Sequence, residues 1–394
     1  MMEAWRWFGS LDRINLSEIT QTGASGIVTA LHEIPYGEVW PEQMIAARLA
    51  EVDATGRLEW KVVESLPVDE RIKRGDGDLS ELFANYRQSM ANLAACGIAT
   101  ICYNFMPLLD WTRTRLDAPV AGGGTALRFD QTDIAVFEIF MLERDAASET
   151  YSPEILKAAS TRFAEMTEDD KSTLLASIMA GLPGAYDRYS LNELRDALAL
   201  YQGMDHATLQ TNFYRFLTEI IPTAAELGIR MCVHPDDPPR DILGLPRIVS
   251  TGTDIDWILG AVDDGANGLT LCSGSLGAHP DNDVPRIARQ FADRIYFAHL
   301  RNVTRENDGS FQEEAHLAGD TDMIALIQTL LDEESRRKEA GLRDSEIVFR
   351  PDHGHELLSD VGRGTHPGYS LIGRMRGLAE LRGVIHALSN GHQR

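Results

Sequence analysis

Four short apolar runs in this chain each end in a residue that can bind a metal. They are Arg230-Met231-Cys232-Val233-His234, Gly268-Leu269-Thr270-Leu271-Cys272, Arg294-Ile295-Tyr296-Phe297-Ala298-His299 and Ile347-Val348-Phe349-Arg350-Pro351-Asp352. Runs of this length, rich in β-branched and aromatic residues, predict buried strands. In a parallel barrel all strands point the same way, so their last residues meet on one face however far apart they stand in sequence, and that face carries the chemistry. His234, Cys272, His299 and Asp352 are therefore the candidate metal ligands.

The rest of the chain supplies the other half of such a barrel. Residues 5–8, 26–30, 58–64 and 98–103 read as strands one to four, with amphipathic helices predicted at 42–54 and 78–97; the second ends at Gly97, as helices often do. The strand-helix rhythm then stops for over a hundred residues. Segments 130–144, 152–166, 169–180 and 191–227 all look helical, with a turn-rich break at 181–184. The last turns of that final helix, 214–227, lead into the strand that ends at His234. Later helices are expected at 254–262, 285–292, 322–340 and after Tyr369. Eight strands alternating with helices predict an α/β fold, a (β/α)8 TIM barrel forming a single domain over 1–394, with a large helical insertion after strand four at 105–213.

Composition sets outer limits. A chain of 394 residues can bury a sizeable core, and its net charge of −23 is spread along the sequence rather than gathered in a tail. That balance argues against nucleic acid or an anionic membrane as partner, while a metal or a few local arginines can still reverse the field inside a pocket. Cys96, Cys102, Cys232 and Cys272 lack the short paired spacing of a structural zinc site and read as free thiols in a reducing compartment. With no basic-then-apolar leader and no stretch long enough to span a bilayer, the expectation is a cytoplasmic enzyme, and base rates for soluble enzymes favour an even-numbered homo-oligomer.

A single histidine at a strand end is more often a hydrogen-bonded structural residue than a ligand. Four suitable residues ending four strands carry far more weight, although for Cys272 alone a buried thiol is an equal reading, as Cys232 illustrates. Two imidazoles, a thiolate and a carboxylate suit Fe, Mn, Co or Zn and serve Ca or Mg poorly. His353, next to Asp352, leaves the strand in another direction and can face the pocket as an acid or base; Tyr369 sits on the loop that follows. Arg301, Asn302 and His316 are the candidate substrate-binding residues. The run Asp236-Asp237-Pro238-Pro239 reads as a loop-shaping turn rather than an acidic cluster, and Asp320-Thr321-Asp322 as a helix N-cap. Ser273-Gly274-Ser275-Leu276-Gly277 lacks the spacing of a phosphate loop. His279, His386 and His392 read as surface or packing residues.

Taken together, His234-Pro235-Asp236-Asp237-Pro238-Pro239, Cys272-Ser273-Gly274-Ser275, His299-Leu300-Arg301-Asn302 and Arg350-Pro351-Asp352-His353-Gly354 resemble the mannonate dehydratases of hexuronate catabolism. Cys102-Tyr103-Asn104-Phe105-Met106-Pro107 and Asp110-Trp111-Thr112-Arg113-Thr114 are similar to that family's segment after strand four. The resemblance runs from the first strand to the Tyr369 loop. It implies a barrel of the xylose-isomerase class, Mn2+ or Fe2+ on His234, Cys272, His299 and Asp352, catalytic roles for His353 and Tyr369, and loss of water from D-mannonate to give 2-keto-3-deoxy-D-gluconate. Two rivals stand beside it. A sugar isomerase or epimerase on the same barrel would gather more carboxylates around its metal, and a non-catalytic structural zinc would draw on close-spaced ligand pairs.

Overall fold

A computed structural model describes residues 1–181, 189–343 and 345–391. The part of the expected break at 182–184, and His392, lie outside the described residues. Eight parallel strands close into a barrel: β1 (Met2–Arg6), β2 (Gly26–Thr29), β3 (Glu59–Glu64), β4 (Thr100–Tyr103), β7 (Arg230–Val233), β8 (Asn267–Cys272), β9 (Ile295–Leu300) and β12 (Val348–Pro351), numbered in chain order with the two hairpins described below. Ring closure is made by β1 pairing with β12 on one side and β2 on the other. β8 is buried at every position, as a strand covered on both faces must be, which is why it reads as a mostly apolar run without alternation.

Helices wrap the barrel by apolar stripes at helical spacing. Ser80–Ala95 buries Leu82, Phe83, Tyr86, Met90 and Leu93, and His206–Leu227 buries Leu209, Phe213, Phe216, Leu217, Ile220 and Ile221. The second helix starts where the Asp205 side chain accepts from Thr208 N and stops at Gly228, whose φ of 70° closes a left-handed cap. Its Phe213 stacks on Phe105, with ring centroids 4.3 Å apart, and so ties the segment after β4 to the barrel wall.

The structure differs from the sequence expectation between β4 and β7. A hairpin, β5 (Arg115–Pro119) and β6 (Thr125–Phe129), precedes the helices, turning through Gly122, Gly123 and Gly124, all at positive φ. A second hairpin, β10 (Asn302–Arg305) and β11 (Phe311–Glu314), follows β9, and the four strands form one antiparallel sheet in the order β10-β11-β6-β5. The segment expected to be purely helical therefore begins as sheet. The helix expected over 130–144 runs from Gln131 to Val136 and passes into a wider π turn, Phe137–Met141. The single helix expected over 191–227 is two, Leu191–Ala199 and His206–Leu227, because Asp205 caps the second afresh. Phe129 and Phe311 stack across the sheet at 5.4 Å, within a second apolar core that also holds Leu108, Ile134, Val303 and Leu243.

Candidate active site

Strand ends place the ligands. His234 follows β7, Cys272 ends β8, His299 lies in β9 and Asp352 follows β12. One donor atom each from His234, Cys272 and His299 lies within 4.8 Å of the others. His234 Nε2 faces His299 Nδ1 at 3.0 Å, and Asp352 Oδ2 stands 3.9 Å from both Cys272 Sγ and His299 Nδ1. Each imidazole is anchored by its other nitrogen: His234 Nδ1 donates to Pro235 O at 2.6 Å, and His299 Nε2 sits 3.3 Å from Glu64 Oε2. An outer partner of this kind fixes ring orientation and the ligating nitrogen.

Electrostatics prepare the thiol. Burial would push Cys272 up, but the Arg301 guanidinium and hydrogen bonds with His234 and His299 outweigh it and hold the group well below the ordinary thiol range. The surroundings favour the thiolate, the form that binds metal. Ser275 Oγ donates to its sulfur at 3.1 Å. His234 responds in the opposite sense: burial lowers it, but its hydrogen bond to Cys272 and the surrounding charge prevail and push it up to about 9. Two imidazoles, a thiolate and a carboxylate converging in a buried space fit a divalent transition metal.

Around this set runs a continuous chain of buried ion pairs. Arg350 grips Glu64 by Nε to Oε2 at 3.0 Å and Nη2 to Oε1 at 2.8 Å, and its Nη1 donates to Asp352 Oδ1. Arg301 lies with Nε 2.8 Å from Asp352 Oδ2 and donates to Asp237 and Glu313. Arg113 donates to both oxygens of Asp237, at 2.7 and 3.1 Å, and to Glu313 at 2.8 Å. Glu313 comes from β11, where it shares the inward face with Phe311, so the second hairpin delivers a carboxylate to the barrel mouth.

That carboxylate organises His353. Burial opposes ionisation of Glu313, but Arg301 and His353 hold it well below the usual carboxylate range. As an ionised acceptor 3.0 Å from His353 Nδ1, it accepts a hydrogen bond from that nitrogen and so fixes the orientation of the ring. Tyr369 OH lies 3.5 Å from Asp352 Oδ1, its ring edge-on to His353 at 5.2 Å. Burial, reinforced by the Asp352 charge, raises the phenol, which stays protonated at neutral pH. A small cleft joins these groups, lined by Glu64, Asp110, His234, Asp352, His353 and Tyr369, with Asn104, Trp111, Asp237 and Arg350.

A family model described as D-mannonate dehydratase (UxuA) matches residues 1–394. The chain belongs to the D-mannonate dehydratase family. Relatives in that family include a mannonate dehydratase of Chromohalobacter salexigens, 53% identical over 98% of this chain and 99% of its own, and one of Rhizobium meliloti, 52% identical over 99% and 98%. The crystal structure of mannonate dehydratase from Streptococcus suis serotype 2 superposes with a TM-score of 0.76 at 33% identity, covering 100% of this chain and 95% of that one. Like the members of its family, the chain is an enzyme, a hydro-lyase.

The structure brings His234, Cys272, His299, Asp352, His353, Tyr369 and Arg301 together. It does not bring Asn302 or His316 to the cleft. The Asn302 amide donates to His316 O and Thr321 O, and its oxygen accepts from Thr321 N at 3.0 Å, so the side chain holds a loop. His316 lines a separate small cavity with Glu314, His355 and Arg376. Sequence reasoning missed Glu64 and Glu313, singled out Asp110 and Arg113 only as part of the family-like segment without a role, and read Asp237 as a turn residue. The turn reading holds for Asp236, which accepts from Val249 N and Ser250 Oγ. Asp237 instead neutralises two arginines. Asp322 caps its helix by accepting from Ala325 N, and Cys232 is buried, as expected. Among the described residues no helix is long and apolar enough to cross a membrane.

Proposed function

We propose that the cleft dehydrates D-mannonate to 2-keto-3-deoxy-D-gluconate, with Mn2+ or Fe2+ held by His234, Cys272, His299 and Asp352. The observation that carries this reading is the His234, Cys272 and His299 donor set, with Asp352 beside it, next to a cleft lined by an imidazole whose Nδ1 is held by Glu313 and a phenol that keeps its proton. When bound, the metal supplies a Lewis acid that draws charge from the substrate carboxylate and so acidifies the neighbouring C2 proton.

His353 Nε2 takes that proton, with Glu313 stabilising the imidazolium through Nδ1–H. Tyr369 OH gives its proton to the C3 hydroxyl as the C3–O bond breaks, and water leaves. The electron pair of the C2–H bond becomes the C2–C3 double bond, and the enol then tautomerises to the 2-keto acid. Arg301 and Arg350 act by holding Asp352 and Glu64 ionised and fixed. A cytoplasmic homo-oligomer is part of the same proposal, and light scattering of the purified protein tests its assembly.

The test is to strip the metal, restore Mn2+ or Fe2+ separately, and follow D-mannonate for a 2-keto-3-deoxy acid. Turnover should require metal and be lost in Cys272→Ala. Absence of turnover with either ion, in a folded protein, would overturn the assignment. A His353→Asn enzyme that still exchanged the C2 proton with solvent deuterium would remove His353 from the role of base.

A further inference from the structure

Four carboxylates line the cleft, and three of them are clamped by arginine: Glu64 by Arg350, Asp237 by Arg113 and Arg301, Asp352 by Arg350 and Arg301. Asp110 is the exception. It is 7% exposed, has no ion-pair partner within 4.0 Å among the described residues, and its Oδ1 is buried with no hydrogen-bond partner. Beside it the buried Trp111 Nε1 is a donor in the same condition. A buried acceptor and donor left open cost stability, and side by side in a substrate cleft they are groups that a ligand can complete.

The charge pattern says which end of a ligand this is. The carboxylate of a sugar acid belongs at the donor set, where Arg301, Arg350 and the cation concentrate positive charge. Asp110 stands on the segment after β4, within reach of His234 across the cleft but without an arginine of its own. An acceptor whose negative charge is offset only through space, by Lys73 and His234, and not by a paired guanidinium, welcomes hydroxyl groups and disfavours a second carboxylate. We propose that Asp110, with Trp111 Nε1 and Asn104 beside it, grips the hydroxyls at the far end of a sugar-acid chain and excludes sugar diacids. The inference rests on the reading of the cleft as the substrate site. Burial raises the Asp110 carboxyl to about 6, so it remains largely ionised at neutral pH and loses this discrimination in acid.

The six-carbon diacid D-mannarate is the probe, because it differs from D-mannonate only in a carboxylate where the far hydroxymethyl group stands. With the metal-loaded enzyme, the Ki of D-mannarate should exceed the KM of D-mannonate by about tenfold or more. Asp110→Asn, which keeps shape and hydrogen bonding but removes charge, should raise KM for D-mannonate severalfold and lower the mannarate Ki about tenfold, with metal content unchanged. A wild-type enzyme that binds the diacid as tightly as the monoacid overturns the inference without any variant. So does an Asp110→Asn enzyme, folded and metal-loaded, whose selectivity is unmoved. If wild-type enzyme with metal fails to turn over D-mannonate at all, the reading of the cleft falls and this inference with it.

Discussion

At Asp237 two guanidiniums, Arg113 and Arg301, share one buried carboxylate. Removing one member of such a cluster strands the others without solvent. Asp237→Ala should therefore destabilise the protein by about 3–5 kcal/mol, read as a lower urea midpoint, and activity should fall with it as Arg301 shifts from Asp352. This pairing is not legible locally, because the partners stand 124 and 64 positions away and a turn motif looks the same whether its acid faces water or a cation. His316 offers a second residue-scale test. Burial lowers its pKa to about 4, so the folded state keeps it neutral while an unfolded chain protonates it near 6.5. Its contribution is intact above pH 6.5 and is lost as the pH falls from 6.5 towards 4, by roughly 3 kcal/mol. In His316→Gln the unfolding midpoint should vary less between pH 7 and pH 5 than in the parent. An unchanged slope would show that His316 is not the group being titrated.

Among the elements, the short helix Ser273–Gly277 after β8 tolerates little change. A Cβ on Gly274 would come within 2.5–2.6 Å of the Arg301 guanidinium, so Gly274→Ala must displace the arginine that pairs with Asp237, Glu313 and Asp352. We expect loss of most kcat with circular dichroism little changed; wild-type turnover would mean that Arg301 has room to move. The barrel strands were legible because burial on both faces leaves continuous apolar runs, and their ligands because strand ends in such a barrel converge. Hairpin β5–β6 was legible in principle, since Gly122-Gly123-Gly124 between alternating residues is a turn signal, but attention to helical period passed over it. Glu313 could not be found that way. Its only local sign is that it alternates with Phe311 on β11, and its role is set by His353 and Arg113 from elsewhere.

For the molecule as a whole, metal should act as a cement. His234, Cys272, His299 and Asp352 come together only in the folded chain, so the thermal midpoint should rise with Mn2+ concentration and drop on chelation, while Ca2+ should do much less. A Cys272→Ser protein should lose most of that response.

The sheet that roofs the barrel mouth is woven from two loops far apart along the chain: Gln131 N donates to Ser310 Oγ across 179 positions. Joining them requires closure of a very long segment, and the entropy of that closure is recovered only after the intervening barrel strands have docked. During synthesis β6 emerges long before its partner exists, with one edge waiting, and Arg128, opposite Gln312 in the finished sheet, sets a charge on that strand. Backbone amides of β6 and β11 should accordingly gain hydrogen-exchange protection later in refolding than those of β7 and β8. Since Glu313 rides on β11, a nascent or half-folded chain has no organised His353, and the enzyme stays chemically silent until the last stitch is drawn.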